Sequence, residues 1–207
     1  MSNICYQSWT SLFTVSLFQG HLALWKSGIY HCDISPSNLM YYTNKTKEII
    51  GVLNDFDLAR TSLDTTTGSE YTGTIPFMAL DLLYSKEIPI KHAYEHDAES
   101  FIWVLVWISL QYDRGKLRQF NRPLDAWLRG DVDRCREKKI DFLFRSFHWD
   151  VQAGIGHEQN WELAKECMNV LKIRQMTMWK TETLQYPLQD VDTIYESMLW
   201  RSVSQYL

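Results

Sequence analysis

The hydrophobic positions along the first sixty residues change period, and the change predicts a long helix followed by a β-hairpin. Between Trp9 and Trp25 the apolar residues recur at helical spacing, and Gly28 is placed to end that helix. The short runs LMYY and IIGVLN then flank the polar turn TNKTKE. Two short apolar runs around a polar turn are typical of paired antiparallel strands.

The rest of the chain is predicted to be mainly helical. The stretch DAESFIWVLVWISL begins with acidic residues and is then apolar on every side, so we place a fully buried helix at 97–111. Residues 121–207 are predicted to form several helical pieces, interrupted at FNRP, LRGD, AGIG and QYPL. Residues 60–75 are rich in hydroxyl groups and are predicted to be the most mobile internal segment. The fold class is therefore mainly α with a small β-hairpin.

Composition narrows the class of protein without giving an activity. A length of 207 residues, 45% of them apolar and 22% charged, suits a single globular domain, and a net charge of −4 gives no reason to expect nucleic acid or an anionic membrane surface. The four cysteines contain no C-x-x-C pair, and the longest apolar run is too short to span a bilayer. No basic region precedes the first apolar stretch, so we expect an intracellular protein, cytoplasmic or nuclear.

The segment HCDISPSNLM carries the first candidate chemistry. His31, Asp33 and Asn38 stand at the spacing H-x-D-x-x-x-x-N, the pattern of a phosphotransferase catalytic loop. If the two predicted strands pair antiparallel, Asn38 before the first strand and Asp55 after the second lie at the same open end of the hairpin. Carboxylate and amide oxygens are ligands that suit Mg²⁺. The sequence therefore predicts a magnesium site formed by Asn38 and Asp55, beside Asp33.

Four segments in order, HCDISPSNLM, VLNDFDLA, GTIPFMALDLL and HDAESFIWVLVW, resemble the C-terminal lobe of a protein kinase, most closely the fungal-type protein kinases. The resemblance covers about residues 10–145 and implies a protein kinase-like fold. It divides the single domain 1–207 into a first helix, a catalytic loop with a metal hairpin, an activation segment, a buried helix and a C-terminal helical part, at 1–28, 29–60, 61–83, 97–111 and 121–207.

The resemblance also implies roles for individual residues. Asp33 resembles the aspartate that accepts the proton of the substrate hydroxyl, while Asn38 and Asp55 resemble the two metal ligands. The implied cofactors are ATP and Mg²⁺, bound only weakly by this chain alone. Two further positions are implied to be structural: Asp81 stands where kinases have the glutamate that closes the activation segment, and Asp97 resembles the aspartate that hydrogen-bonds the catalytic-loop backbone near His31.

Three positions depart from the usual kinase pattern. Cys32 replaces the arginine that commonly pairs with a phosphate on the activation loop, so phosphorylation of that loop is not expected to switch this site by that route. Ser35 stands where serine/threonine kinases carry a lysine on the transferred phosphoryl group, and it can offer a hydrogen bond but no charge. Asp57 replaces the glycine that usually follows Asp-Phe. Fungal-type kinases share the serine and the DFD segment.

The chain shows no G-x-G-x-x-G, and about eight residues before the first helix cannot hold the upper lobe that grips the nucleotide. We therefore expect the N-terminal lobe to be absent and the chain to be inactive alone. If the chain does transfer phosphate, Lys138, Lys139 and Lys165 are the first candidates for a phosphate clamp.

The alternatives are a non-catalytic kinase lobe that binds a partner protein on its exposed cleft face, or a small-molecule phosphotransferase of the aminoglycoside type. GTIPFMALDLL argues against the last, because it resembles the shelf that holds peptide substrates. The substrate protein and the choice between Ser/Thr and Tyr stay open.

Overall fold

The computed structural model describes residues 2–3, 11–61, 73–84, 92–145 and 151–182, and the side chains of 16–61, 73–84, 92–145 and 151–177. These ranges are mainly helical with small antiparallel sheets. The α-helices are α1 Ser11–Lys26, α2 Leu80–Tyr84, α3 Tyr94–Gln111, α4 Val132–Arg145 and α5 Glu158–Glu182. The strands are β1 Ser2–Asn3, β2 Ile29–Tyr30, β3 Leu39–Thr43, β4 Ile49–Leu53, β5 Arg60–Thr61, β6 Tyr112–Asp113 and β7 Lys116–Leu117. Short 3-10 turns occur at Pro36–Asn38, Ile75–Phe77 and Asp125–Leu128.

Helix α3 runs through the centre of the core, as its apolar composition on every side predicts. Every residue from His96 to Gln111 is buried. The helix begins at Tyr94, three residues before the predicted start, because the Nδ1 atom of His96 accepts a hydrogen bond of 3.0 Å from the Ala93 amide. That bond satisfies a backbone donor that the first turn of a helix leaves without an intrahelical partner.

The predicted hairpin is confirmed, and its register is continuous from Leu39 opposite Leu53 to Thr43 opposite Ile49. Asn44 shapes the turn, since its Oδ1 atom accepts hydrogen bonds from the amides of two later turn residues. The expectation of a single small hairpin was incomplete. Strand β1 adds to it, and the pairs β2–β5 and β6–β7 form two further sheets. Each added strand is two residues long, too short for an alternating pattern to reveal it.

Helix α1 confirms the first periodic segment and supports the hairpin. It packs against β4, where the Ser16 hydroxyl accepts the Gly51 amide at 2.8 Å. Gly28 follows the helix with φ of 77°, a conformation that glycine adopts without strain. In the second half of the chain, FNRP, LRGD and AGIG all lie outside α-helices, as predicted, while QYPL and residues 62–72 lie outside the described residues. Among the helices described, none is both long and apolar enough to cross a bilayer.

Candidate active site on the catalytic loop and hairpin

The catalytic loop is attached to α3 through one buried carboxylate. The Oδ2 atom of Asp97 accepts the backbone amides of His31 at 3.1 Å and Cys32 at 3.3 Å. Two histidine rings complete its surroundings, since Nε2 of His21 lies 3.1 Å from Oδ2 and Nε2 of His92 lies 2.8 Å from Oδ1. These hydrogen bonds join the loop to α3, whose residues from His96 to Gln111 are all buried.

The charge state of this cluster follows from its contacts. Burial alone would lower the pKa of His92, but the hydrogen bond and charge of Asp97, with a contribution from Cys32, raise it to about 10. Burial likewise opposes ionisation of Asp97, yet the two histidines hold the pKa of its carboxyl far below the usual value. At neutral pH the pair is therefore His92 imidazolium and Asp97 carboxylate, buried together beneath the loop.

The loop backbone is strained where it turns toward the site. Cys32 has φ of 65° and Asp55 has φ of 64°, in a left-handed region that costs a residue other than glycine about 1–2 kcal/mol. The Asp97 hydrogen bonds to His31 and Cys32 offset this cost at the first position, since each is a bond to a charged acceptor. Residues held in this conformation occur often at functional sites.

The carboxylate of Asp33 is oriented by two neighbours, one on each oxygen. Its Oδ1 atom accepts the backbone amide and the hydroxyl of Thr74, both at 2.8 Å. Its Oδ2 atom accepts the Nδ2 group of Asn38 at 2.8 Å, and the same Nδ2 group donates to the Asp33 carbonyl at 2.9 Å. Asp33 is partly exposed. These contacts fix the orientation of the Asp33 side chain, and its partial exposure leaves it accessible to a substrate.

Asn38 and Asp55 lie at the same end of the hairpin. Beyond the last paired residues, the Asn54 amide donates to the Asn38 carbonyl at 2.8 Å, so Asp55 follows directly after a residue bonded to Asn38. The Nδ2 group of Asn38 is directed to Asp33, so the Oδ1 atom of the same amide does not face Asp33. The Ser37 hydroxyl donates to this Oδ1 atom at 3.3 Å. The Asp55 side chain is exposed.

His31 connects the catalytic loop to the segment that carries Asp55. Its Nε2 atom lies 3.1 Å from the Asn54 carbonyl, and its ring lies 4.8 Å from that of Phe56, centroid to centroid. Burial is the main cause that lowers the pKa of His31, so the ring is neutral and Nε2–H donates to Asn54. The His31 ring therefore lies between the loop and the segment that carries Asp55.

The donor set suits Mg²⁺, although the protein supplies only part of a coordination shell. One carboxylate and one amide oxygen are hard ligands, and Mg²⁺ usually keeps several waters and binds substrate phosphates as well. Within the described ranges, no three histidine, cysteine or carboxylate side chains are grouped to hold an ion. Asp57, the added carboxylate of the DFD segment, therefore does not build a metal cage with Asp33 and Asp55.

Ser35 and Asp81 have surroundings that the sequence did not specify. Ser35 is fully buried and its hydroxyl lies 2.8 Å from that of Ser37, so this arrangement does not support a contact between Ser35 and a phosphoryl group. Asp81 is bound by Arg174 of α5, with Nη2 at 2.6 Å from Oδ2.

Sequence reasoning missed Thr74 and Arg174. A hydroxyl at the start of GTIPF was a usable signal for Thr74, whereas nothing in the sequence pairs Arg174 with Asp81.

One comparison with known proteins found a family to which part of the chain is similar. The model of the fungal protein kinase family matches residues 14–109, a span that contains the catalytic loop, the hairpin and α3 up to Ser109. This part of the chain, 96 of its 207 residues, is therefore similar to the fungal protein kinase family. No curated protein matches the sequence.

Proposed function

We propose that this chain carries the catalytic loop, the metal ligands and the acceptor shelf (residues 73–81, which would hold a protein substrate) of a protein kinase, which transfers the γ-phosphoryl group of ATP to a hydroxyl group of a protein. The observation that carries the proposal is the Asp33 carboxylate, held by Asn38 on one oxygen and by Thr74 on the other. A carboxylate with both oxygens positioned is suited to orient a hydroxyl and accept its proton.

In the proposed reaction the acceptor oxygen forms a bond to the γ-phosphorus while the bond from that phosphorus to the β–γ bridging oxygen breaks. The electron pair of the broken bond stays on ADP, and the acceptor proton passes to Asp33. Asn38 and Asp55 would hold Mg²⁺, which would neutralise charge on the phosphate oxygens. His31 and Asp97 hold the loop so that these groups keep their spacing.

Transfer by this chain is proposed to need an upper lobe. The sequence offers no glycine-rich loop, and removal of a single electrostatic donor from an active site commonly costs about 10²–10³-fold in rate. Lys139, considered as a substitute clamp, is fully buried and its ammonium group donates to the Met78 carbonyl. Beside Asp55, Phe56 and Leu58 are 42% and 38% exposed, an apolar surface on which an upper lobe would close.

The test is phosphoryl transfer by the chain joined to the upper lobe of a related kinase, assayed with labelled ATP and a generic protein acceptor. The joined protein is expected to transfer phosphate, and Asp33→Asn and Asp55→Ala are each expected to abolish the gain. Absence of transfer from a folded joined protein, or transfer that survives both substitutions, would contradict the proposal. The first of these outcomes would favour the non-catalytic module, whose partner would bind the surface around Phe56 and Leu58.

A further inference from the structure

The acceptor shelf, which we define as residues 73–81, is held by buried charged side chains from three helices. Glu99 comes from α3, Lys139 from α4 and Arg174 from α5, and each is at most 6% exposed. Glu99 accepts the Leu80 amide, Lys139 donates to the Met78 carbonyl and Arg174 pairs with the Asp81 carboxylate.

Lys139 is the least expected member of this set. Helix α4 is strongly polar on its outer face, yet this lysine is 0% exposed while the neighbouring Lys138 is exposed. Its Nζ atom donates to the Met78 carbonyl and lies 4.6 Å from the ring centroid of Trp103. An ammonium group over an indole face keeps part of its electrostatic stabilisation when water is removed. The lysine is therefore accommodated as a cation against the backbone of the shelf.

Glu99 connects the same part of the shelf to α3. Its Oε1 atom accepts the Leu80 amide and the indole N–H of Trp103, both at 2.8 Å, and its Oε2 atom lies 3.9 Å from Nη1 of Arg174. Trp103 thus contacts both Glu99 and Lys139. Glu99 and Lys139 therefore contact the same indole ring and two adjacent peptide groups. These contacts fix the direction of the backbone at Met78 and Leu80.

The shelf reaches the catalytic loop at its other end. Thr74 donates twice to Asp33, and a side chain on Gly73 would meet the Cys32 carbonyl at 3.1 Å, so the two segments lie in close contact. The Met78 amide donates to the Thr74 carbonyl at 3.2 Å, so a rotation of the backbone at Met78 would disturb Thr74 through this hydrogen bond. Buried side chains of the core therefore hold the acceptor shelf in its position.

We propose that Lys139 is a positioning residue for the acceptor shelf: through the Met78 carbonyl, and together with Glu99, it holds the shelf in register with Asp33 without a phosphate on the activation segment. This inference rests on the proposed function, because it concerns how a protein acceptor is presented to the catalytic aspartate. A purely structural lysine would stabilise the whole core and would leave acceptor affinity no more affected than ATP affinity.

The first test is amide hydrogen exchange on the 207-residue chain, compared between wild type, Lys139→Met and the matched surface control Lys138→Met. In Lys139→Met the amides of Phe77, Met78 and Leu80 are expected to exchange about tenfold faster or more, because the shelf opens locally. The Asn54 amide of the hairpin and all amides of Lys138→Met are expected to be unchanged. Equal acceleration of the hairpin and the shelf, or no acceleration in either, would overturn the inference.

A measurement on the unmodified chain covers the case in which Lys139→Met fails to fold. Alkaline titration followed by NMR should move the Met78 carbonyl carbon with the same midpoint as the Lys139 Nζ resonance. Glu99 of α3 and Cys135 of α4 are the titratable groups that face this lysine, so their resonances are recorded in the same series. A Met78 carbonyl that does not follow Lys139 would overturn the inference.

The second test uses the chain joined to an upper lobe. Lys139→Met is expected to raise the KM for the protein acceptor about tenfold while the KM for ATP stays within about twofold. An equal rise in both constants would show a general structural role and would contradict the inference. If the joined wild-type protein shows no transfer, the proposed function fails, whereas the exchange and titration experiments still decide whether Lys139 positions the shelf.

Discussion

The buried pair of His92 and Asp97 predicts a dependence of stability on pH that can be worked out from the structure. The pKa of His92 is raised from 6.5 to about 10 in the folded chain. Between these two values the folded state keeps a proton that the unfolded state has released, so stability is fully present below 6.5 and is lost as the pH rises toward 10. The slope approaches about 1.4 kcal/mol per pH unit.

The perturbation that isolates this contribution is His92→Gln, with unfolding measured at several pH values from 6.5 to 8. Burial lowers the pKa of His31 and His157, and their contributions cancel when wild type and variant are compared. Burial, and after it the charge of His92, lowers the pKa of His96 to about 3, so the His96 ring is titrated by NMR in both proteins to measure how much the substitution changes it. The pKa of Lys139 is lowered to about 8 by burial, against the charge of Glu99, and His92 does not contribute to that shift, so the contribution of Lys139 also cancels in the comparison. The difference in unfolding free energy should therefore shrink by about 1.5 kcal/mol from pH 6.5 to 8.

Urea denaturation followed by tryptophan fluorescence measures this difference, provided that both proteins unfold in a single transition. An NMR titration of the His92 ring gives the pKa directly and serves as the internal check. A difference that stays constant across the window, or a His92 pKa near 6.5, would refute the reasoning that Asp97 holds the catalytic loop as a carboxylate paired with imidazolium.

Three further predictions concern the helix, the shelf and activity. Gly20→Ala should stabilise the chain by about 0.5–1 kcal/mol, because the new Cβ on α1 meets nothing within 4 Å. Gly154→Ala should destabilise the chain by about 3 kcal/mol, because its Cβ would lie 1.7 Å from the Tyr112 carbonyl oxygen. Urea unfolding at one pH compares the two variants. In the chain joined to an upper lobe, Thr74→Val should lower kcat about tenfold while Thr74→Ser stays near wild type, since only serine keeps the hydroxyl bond to Asp33. The purified 207-residue chain alone should show no transfer above the Asp33→Asn control, and a rate near 1–100 per second, roughly that of ordinary kinases, would contradict the need for an upper lobe.

Much of the fold was predictable because its main elements repeat over many residues. Helix α1, the hairpin and α3 each extend over enough positions for periodicity or uniform burial to be visible in the sequence. The start of α3 was predicted three residues late, because a histidine acceptor from the first turn, and not an acidic residue, satisfies the Ala93 amide. Strands of two residues, such as Ile29–Tyr30, are set by tertiary contacts and leave no local pattern.

In the candidate site, as in the fold, some features depend on residues close in sequence and others on contacts between distant residues. The spacing of Asp33 and Asn38 and the hairpin geometry of Asp55 depend on neighbouring residues, so the sequence indicated them. The contacts of Lys139 and Arg174 join residues 61 and more than 90 positions apart, and a charged residue on a helix is ordinarily a surface residue. Their burial follows from how α4 packs against α2 and α5 packs against α3, which a single sequence does not specify.

The central claim is that Asn38 and Asp55 serve one divalent metal beside Asp33, and paramagnetic NMR tests it on this chain directly. Mn²⁺ with ATP, added at increasing concentration, should broaden the side-chain amide signals of Asn38 and the backbone signals of Asp55 and Phe56 before those of any other described segment. Asp55→Ala should remove the effect, while Asp57→Ala should leave most of it. Broadening that is absent at Asn38, or that persists unchanged in Asp55→Ala, would contradict the account.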